Sequence, residues 1–196
     1  MTKLKFTILV LIAATTALYA QGTQWKADRA HSQVKFSVSH MVIAEVTGRF
    51  KEFTVTLEQP GQDFVGSKLE ADIKTGSVDT DIESRDKHLR SDDFLNAEKY
   101  PDITFKSTSF EKTGNDTYKI AGNLTIRDVT KQVVLEAKYN GAVTDPMGNR
   151  KAGFKATTTI NRFDYGVKWN KTIEAGGLVA GENVEITLLM ELAKQK

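Results

Sequence analysis

Val34-Lys35-Phe36-Ser37-Val38-Ser39-His40 alternates apolar with polar side chains from Val34 to Ser39. In an extended chain successive side chains point to opposite faces, so this stretch has one oily face and one wet face and reads as a half-buried β-strand. The same period recurs outward from it. Phe53, Val55 and Leu57 alternate with Thr54 and Thr56; Leu69, Ala71 and Ile73 with Glu70, Asp72 and Lys74; Ile103 and Phe105 with Thr104 and Lys106. Further strands are expected over residues 118–126, 133–142, 154–160 and 184–192. Gln59-Pro60-Gly61, Gly114-Asn115-Asp116 and Asp145-Pro146-Met147-Gly148-Asn149 are turn signals between them, which gives an all-β chain of about eight strands.

Strands that are apolar on one side must bury that side, and with almost no helical periodicity available the partner is more sheet. A sandwich or a closed barrel results, and periodicity alone does not choose between them. Eight strands closed on themselves leave an interior that side chains just fill or that holds one small ligand, and closure removes exposed edges. The regular alternation and short hairpin turns between 117 and 160 favour the barrel. Residues 80–100 depart from period two. Thr80 and Glu83 have capping-box spacing, Ile82 and Leu89 stand two helical turns apart and Pro101 ends the segment, so one or two short helices are expected across the barrel. The irregular stretch 166–181, with Trp169, Gly176 and Gly177, is expected to form a loop at the barrel mouth and is a candidate gate.

At the N-terminus, Lys3 and Lys5 precede an uncharged run from Phe6 to Leu18, followed by small residues at Ala20 and Gly22. That pattern is a secretory signal peptide over residues 1–20, with cleavage after Ala20 or Gly22 and a single domain over 21–196. An uncleaved anchor is the competing reading, because Leu18 is an imperfect residue three before a cut at Ala20. Both place the folded part outside the cytoplasm, and the first places it in the periplasm. Residues 1–20 carry two lysines and no acid, so the 27 basic and 25 acidic side chains of the whole chain become 25 of each. Charge this balanced and scattered is not the footprint of a nucleic-acid-binding protein. The absence of cysteine excludes disulfides, thiolate metal sites and a cysteine nucleophile.

Several fragments resemble, in order and spacing, the YceI-like, polyisoprenoid-binding family of bacterial periplasmic proteins. They are Trp25, His31-Ser32, Phe36-Ser37-Val38-Ser39-His40, Arg85-Asp86-Lys87-His88-Leu89, Phe94 with Lys99-Tyr100-Pro101, and Phe105. Gly122-Asn123-Leu124-Thr125-Ile126, Val129-Thr130-Lys131, Gly153-Phe154-Lys155-Ala156, and Arg162 with Asp164-Tyr165-Gly166 continue the match. The resemblance implies an extended eight-stranded, lipocalin-like antiparallel barrel whose apolar tunnel holds an isoprenoid chain, such as a quinone or its precursor. It also implies a binding protein with no cofactor other than that lipid, open to homodimerisation and to transient contact with a membrane. One departure is Asp128, where the family tends to have glycine; Asp tolerates left-handed turn geometry, so the hairpin is expected to survive.

The proposed tunnel set is Phe36, Val38, Val55, Leu57, Ile73, Phe105, Ile120, Leu124, Ile126, Phe154, Ile160, Ile186 and Leu188, with Trp169 in the mouth loop. Each is equally explained as packed core, since core and tunnel demand the same side chains. His40 shares the inward register of Phe36 and Val38, where it either contacts a ligand head group or is satisfied by backbone. His31, His40 and His88 are the only histidines, and a three-histidine zinc site is disfavoured. Arg85 and Asp86 are expected to form a buried ion pair or to anchor the helical segment, and Asp92 and Asp93 to begin a helix. No Gly-x-Ser-x-Gly elbow, His-Glu-x-x-His pair or phosphate-binding glycine loop is present, so no catalytic or metal residue is assigned. Two competing functions remain: an enzyme acting on an isoprenoid with His40 as base, and a solid-cored barrel that binds a protein partner.

Overall fold

The computed structural model describes residues 22–173 and 176–196; the expected signal segment 1–20 lies outside them. In chain order the strands are β1 (Thr23–Ala27), β2 (Gln33–His40), β3 (Ala44–Phe50), β4 (Phe53–Gln59), β5 (Lys68–Lys74) and β6 (Val78–Asp79). Helix α1 (Glu83–Arg90) follows, then β7 (Asp102–Lys112), β8 (Thr117–Ile126), β9 (Val129–Thr144), β10 (Arg150–Asn161) and β11 (Ala180–Lys194). All pairings are antiparallel. The order β1-β4-β5-β7-β8-β9-β10-β11 returns to β1 and closes an eight-stranded barrel.

The count of eight matches the expectation, but its membership differs. The ring contains β1 where the sequence pattern offered β2, and β3 and β6 went unseen. β1 shows only Trp25 and Ala27 on its buried face, too few positions to reveal a period. In β3 the column Val46, Gly48, Phe50 is interrupted by glycine, because the Phe36 ring occupies the space a side chain at 48 would need.

β11 is the seam. One of its edges runs along β10 from Ala193 to Asn183. The other pairs first with β2, from Ala180↔His40 to Leu189↔Gln33, and then with β1, from Leu192↔Ala27 to Lys194↔Trp25. β1 and β2 are therefore one wall position interrupted at 28–32. Their partners break at the same level, β4 from β3 at 51–52 and β5 from β6 at 75–77. Each interruption leaves ladder groups without strand partners, and serine hydroxyls supply them. Ser32 Oγ accepts from Glu191 N (3.0 Å) and donates to Glu191 O (3.2 Å), while Ser77 Oγ accepts from Glu52 N (3.0 Å) and donates to Lys74 O (2.6 Å). The β2-β3-β6 sheet thus extends the wall beyond the closed ring, and α1 covers its free edge through Arg90, which donates to Gly76 O and Val78 O.

α1 is the single α-helix among the described residues, and the rest of 80–100 is turns. Thr80 does not cap it. Ile82 holds the N-cap position with no side-chain bond, and Asp86 instead reaches back to accept from the backbone N–H and hydroxyl of Thr80. Arg85 donates to Thr80 Oγ1 (2.7 Å) and Thr80 O (2.8 Å). Arg85 and Asp86 therefore anchor the helix through Thr80. Asp92 and Asp93 lie in the turns after the helix, so no helix starts there. Arg127 and Asp128 both hold positive φ, 51° and 59°, forming a two-residue primed turn, and the β8–β9 hairpin survives the glycine replacement.

One end of the barrel is plugged. Phe64, in the loop between β4 and β5, packs on Trp25, Tyr139 and Phe154 with ring centroids 6.0, 5.3 and 4.9 Å apart. Trp25 Nε1 donates to Gln59 Oε1 at 2.8 Å, and Gln59 Nε2 donates to the carbonyls of Gln62 and Asp63, so the buried indole N–H of the plug is satisfied. At the wall interruption, Lys151 Nζ bridges Asp28 (2.7 Å) and Glu191 (3.1 Å), with His31 3.3 Å from Asp28. The three acid and imidazole groups have a metal-like spacing, but Lys151 already supplies their positive charge.

Hydrogen bonding to Lys151, then to His31, pulls the Asp28 carboxyl down to about 2. An unfolded aspartate titrates near 4, so this stabilisation is complete above about pH 5 and is lost as pH falls toward 2. Asp28→Asn is expected to cost of order 1–2 kcal/mol at neutral pH and to flatten the decline in stability below pH 5, checked by urea unfolding at several pH values. The Phe105 ring lies over Gly122, where an added β-carbon would stand 2.6 Å from Lys106 O. Gly122→Ala is expected to lower unfolding free energy by about 1–3 kcal/mol, read from the shift in the urea midpoint.

Candidate functional site

The ring encloses a cavity of about 410 Å³ whose surface is almost wholly apolar. It exists because inward side chains in the middle of the wall are moderate in size: Leu124 and Ile126 on β8, Leu135 and Ala137 on β9, and Ala156 on β10 do not meet across the centre. All fifteen residues of the proposed contact set lie on this one cavity. Val55, Leu57, Ile73, Phe105, Ile120, Leu124, Ile126, Phe154 and Ile160 come from the closed ring and are buried. Phe36, Val38 and His40 of β2, with Ile186 and Leu188 of β11, line the extended part and are half-buried.

Sequence reasoning left out the larger share of the lining. Val133, Leu135 and Ala137 of β9 follow the same period-two rule and were legible, whereas Val46 and Phe50 of β3 were hidden by Gly48 between them. Leu89 of α1 was marked only by its helical spacing from Ile82, and Phe94 and Leu95, in the turns after the helix, had no periodic signal to mark them.

The end opposite the aromatic plug is the mouth, where the polar lining gathers. Trp169 does lie there, packed on Phe94 (5.1 Å) and edge-on to His88 (5.3 Å, 89°). His88 Nε2 bonds Asp93 at 2.8 Å, which gives it a structural role. His31 sits at the exposed wall interruption with Asp28, so the three histidines do not converge. His40 lines the mouth, and its imidazole has no hydrogen-bond partner among the described residues.

Arg162 organises this end. It is 4% exposed, and its guanidinium donates to four backbone carbonyls: Val167 (2.7 Å), Trp169 (2.9 Å), Ala180 (2.9 Å) and Gly181 (2.8 Å). Burial draws its pKa down from the ordinary arginine value, yet a guanidinium stays charged near neutrality. One side chain thus fastens both ends of the 166–181 loop to the barrel. The turn that positions it is capped by Asn161, which accepts from Phe163 N, and ends on Gly166 at φ 74°. Arg127 makes a parallel tie, donating to the carbonyls of Asp92, Phe94 and Gly166. Neither arginine was assigned a role from sequence, since donation to loop carbonyls leaves no spacing signature.

Tyr165 is the other buried polar group here. It is 2% exposed, it lines the cavity, and its hydroxyl has no hydrogen-bond partner among the described residues. Burial, with nearby Asp164 adding to it, pushes its pKa up to about 12, so it remains a neutral donor at physiological pH.

These features define a lipocalin-like class: a closed antiparallel barrel around an apolar chamber, plugged at one end and bordered by polar groups at the other. The chain belongs to the YceI-like domain family, whose sequence model matches residues 25–192. Among curated relatives, a UPF0312 protein of Pseudomonas putida strain F1 is 36% identical over the full length of both chains. Another, from Pectobacterium atrosepticum, is 37% identical over all of this chain and 98% of its own. Among solved structures, the Campylobacter jejuni YceI protein has 28% identity and a TM-score of 0.69, covering 97% of this chain and 100% of that one. BcnA of Burkholderia cenocepacia (19%, TM-score 0.73, 86% and 99% covered) shares the fold. So does a polyisoprenoid-binding domain of Saccharophagus degradans (16%, TM-score 0.67, 87% and 98% covered).

Replacing Arg162 with methionine keeps the length but strands four carbonyls, each unsatisfied buried acceptor costing about 1–3 kcal/mol. Arg162→Met is expected to lose at least about 3 kcal/mol and to speed amide hydrogen exchange across 166–181 before the ring strands exchange.

Proposed function

We propose that the protein is a periplasmic carrier, exported by residues 1–20, that encloses a polyisoprenoid or another long-chain apolar ligand such as an isoprenoid quinone or its precursor. The observation that carries this reading is the 410 Å³ apolar cavity left unfilled by side chains. Apolar walls held apart over a chamber of this size forgo the dispersion contacts that packed side chains would make. A hydrocarbon occupant restores those contacts. On the scale of a 150 Å³ cavity that admits benzene, about three isoprene units fit inside, and a longer tail leaves through the mouth. Each buried methylene contributes about 0.8 kcal/mol before association costs, so no single residue need dominate.

The two ends orient the ligand. The tail points toward the Phe64 plug, and the head group meets the mouth, where His40 and the Tyr165 hydroxyl have unspent hydrogen-bonding capacity. Membership of the YceI-like family and the shared fold of a polyisoprenoid-binding domain support this assignment. We read the barrel as binding without catalysis because its lining is almost wholly apolar. A solid-cored barrel does not fit the open chamber.

Solvent extraction of protein purified from its native host, followed by mass spectrometry, is expected to give a near-stoichiometric isoprenoid; a clean extract would sink the proposal. Leu124→Trp, projecting into the middle of the chamber, is expected to weaken ligand binding about tenfold, ~1.4 kcal/mol, while the β circular-dichroism spectrum is unchanged. Delipidated protein should melt at a lower temperature than loaded protein, because the ligand binds only the folded state.

A further inference from the structure

The turn joining β2 to β3 presents Met41, Val42 and Ile43 with exposures of 40%, 68% and 88%. Hairpin turns ordinarily carry Asn, Asp or Gly. Met41 and Val42 moreover hold φ of 52° and 68°, a left-handed conformation that is strained for a β-branched residue. Asparagine or glycine at 42 would relieve that strain and be more soluble, so the backbone conformation of the turn does not account for valine. The tip is also fixed in place. Met41 N donates to Val179 O at 3.0 Å, and a Val42 methyl fills the space beside Gly177 that a β-carbon there would need. It stands on the rim of the chamber, because His40 and Val46 on either side of it, and Val179 beneath it, line the cavity.

We propose that this tip inserts into the apolar layer of a lipid bilayer and seats the cavity mouth on the membrane surface, so that ligand moves between bilayer and barrel without crossing water. The inference rests on the carrier reading above. A bilayer is favoured over a protein partner by size: three side chains fall far short of the roughly 1,000 Å² that a specific protein interface buries, whereas a few apolar groups suffice for reversible interfacial insertion. Charge points the same way. Glu45 and Glu182 flank the tip, with His40 before it in sequence and Lys171 behind Val179; no basic cluster surrounds it, so insertion depends on apolar area and requires neither anionic lipid nor low salt.

The test is flotation of the purified mature protein with phosphatidylcholine vesicles, comparing it with Val42→Asn/Ile43→Ser. Flotation of the parent that persists at high salt and falls at least about fivefold in the variant is expected. The variant's urea midpoint should be unchanged or higher, since asparagine suits the positive φ at 42. Equal flotation of both proteins, no flotation of the parent, or flotation only with anionic lipid would overturn the proposal, as would a loss confined to self-association. Met147→Ser, in the exposed β9–β10 turn at the plugged end (83%), is expected to float like the parent. Extraction of the same samples separates the two ideas. A loaded parent that does not float defeats membrane docking alone, and a floating parent with a clean extract defeats the carrier reading alone.

Discussion

The chamber stays open because hydrogen bonds, not side chains, set the circumference of the wall. In a bundle or a sandwich the layers are held apart only by the side chains between them, and removing volume lets them approach. In a closed ring the spacing between strands is fixed near 4.8 Å by the ladder, so strand number and tilt decide the diameter. β11 makes closure possible by pairing with β10 along one edge and with β2 and β1 in succession along the other. The interruptions in the neighbouring strands would weaken the wall there, and Ser32 and Ser77 stand in for the absent strand partners.

The two ends of the barrel are built from different chemistry, and the difference gives the molecule a direction. At one end Phe64 folds in from a loop and meets Trp25, Tyr139 and Phe154, closing the ring with large aromatic side chains, the Trp25 indole bonded to Gln59. At the other, loops would fray if left to themselves. Arg162 and Arg127 hold them by donating to main-chain carbonyls, a tie that depends on backbone path and ignores the identity of the loop side chains. Those side chains are thereby left free to vary in contact with whatever occupies the mouth.

Much of the wall was legible because a sheet buried on one face writes its period directly into the chain. Leu69 to Lys74 and Phe53 to Leu57 are the clearest cases. The pattern failed where length or glycine removed it, in β1 and in β3 around Gly48. It also failed at residues 80–100, where Thr80 has the spacing of a cap but serves as an anchor for Arg85 and Asp86. Cap spacing is a local signal, and the position of the helix was decided by contact with β6 and the wall.

By itself the sequence determined the all-β class, the inward column of each long strand and the hairpin at Arg127-Asp128, because each follows from the side chain's own size, polarity or tolerance of φ. Whether those inward columns meet to form a core or stand apart around a chamber was decided only in three dimensions. Leucine, isoleucine and phenylalanine serve both equally, and the choice depends on how far closure holds the opposite walls from one another. The same is true of Arg162, Tyr165 and the Met41 to Ile43 tip, whose roles come from what lies across the mouth from them.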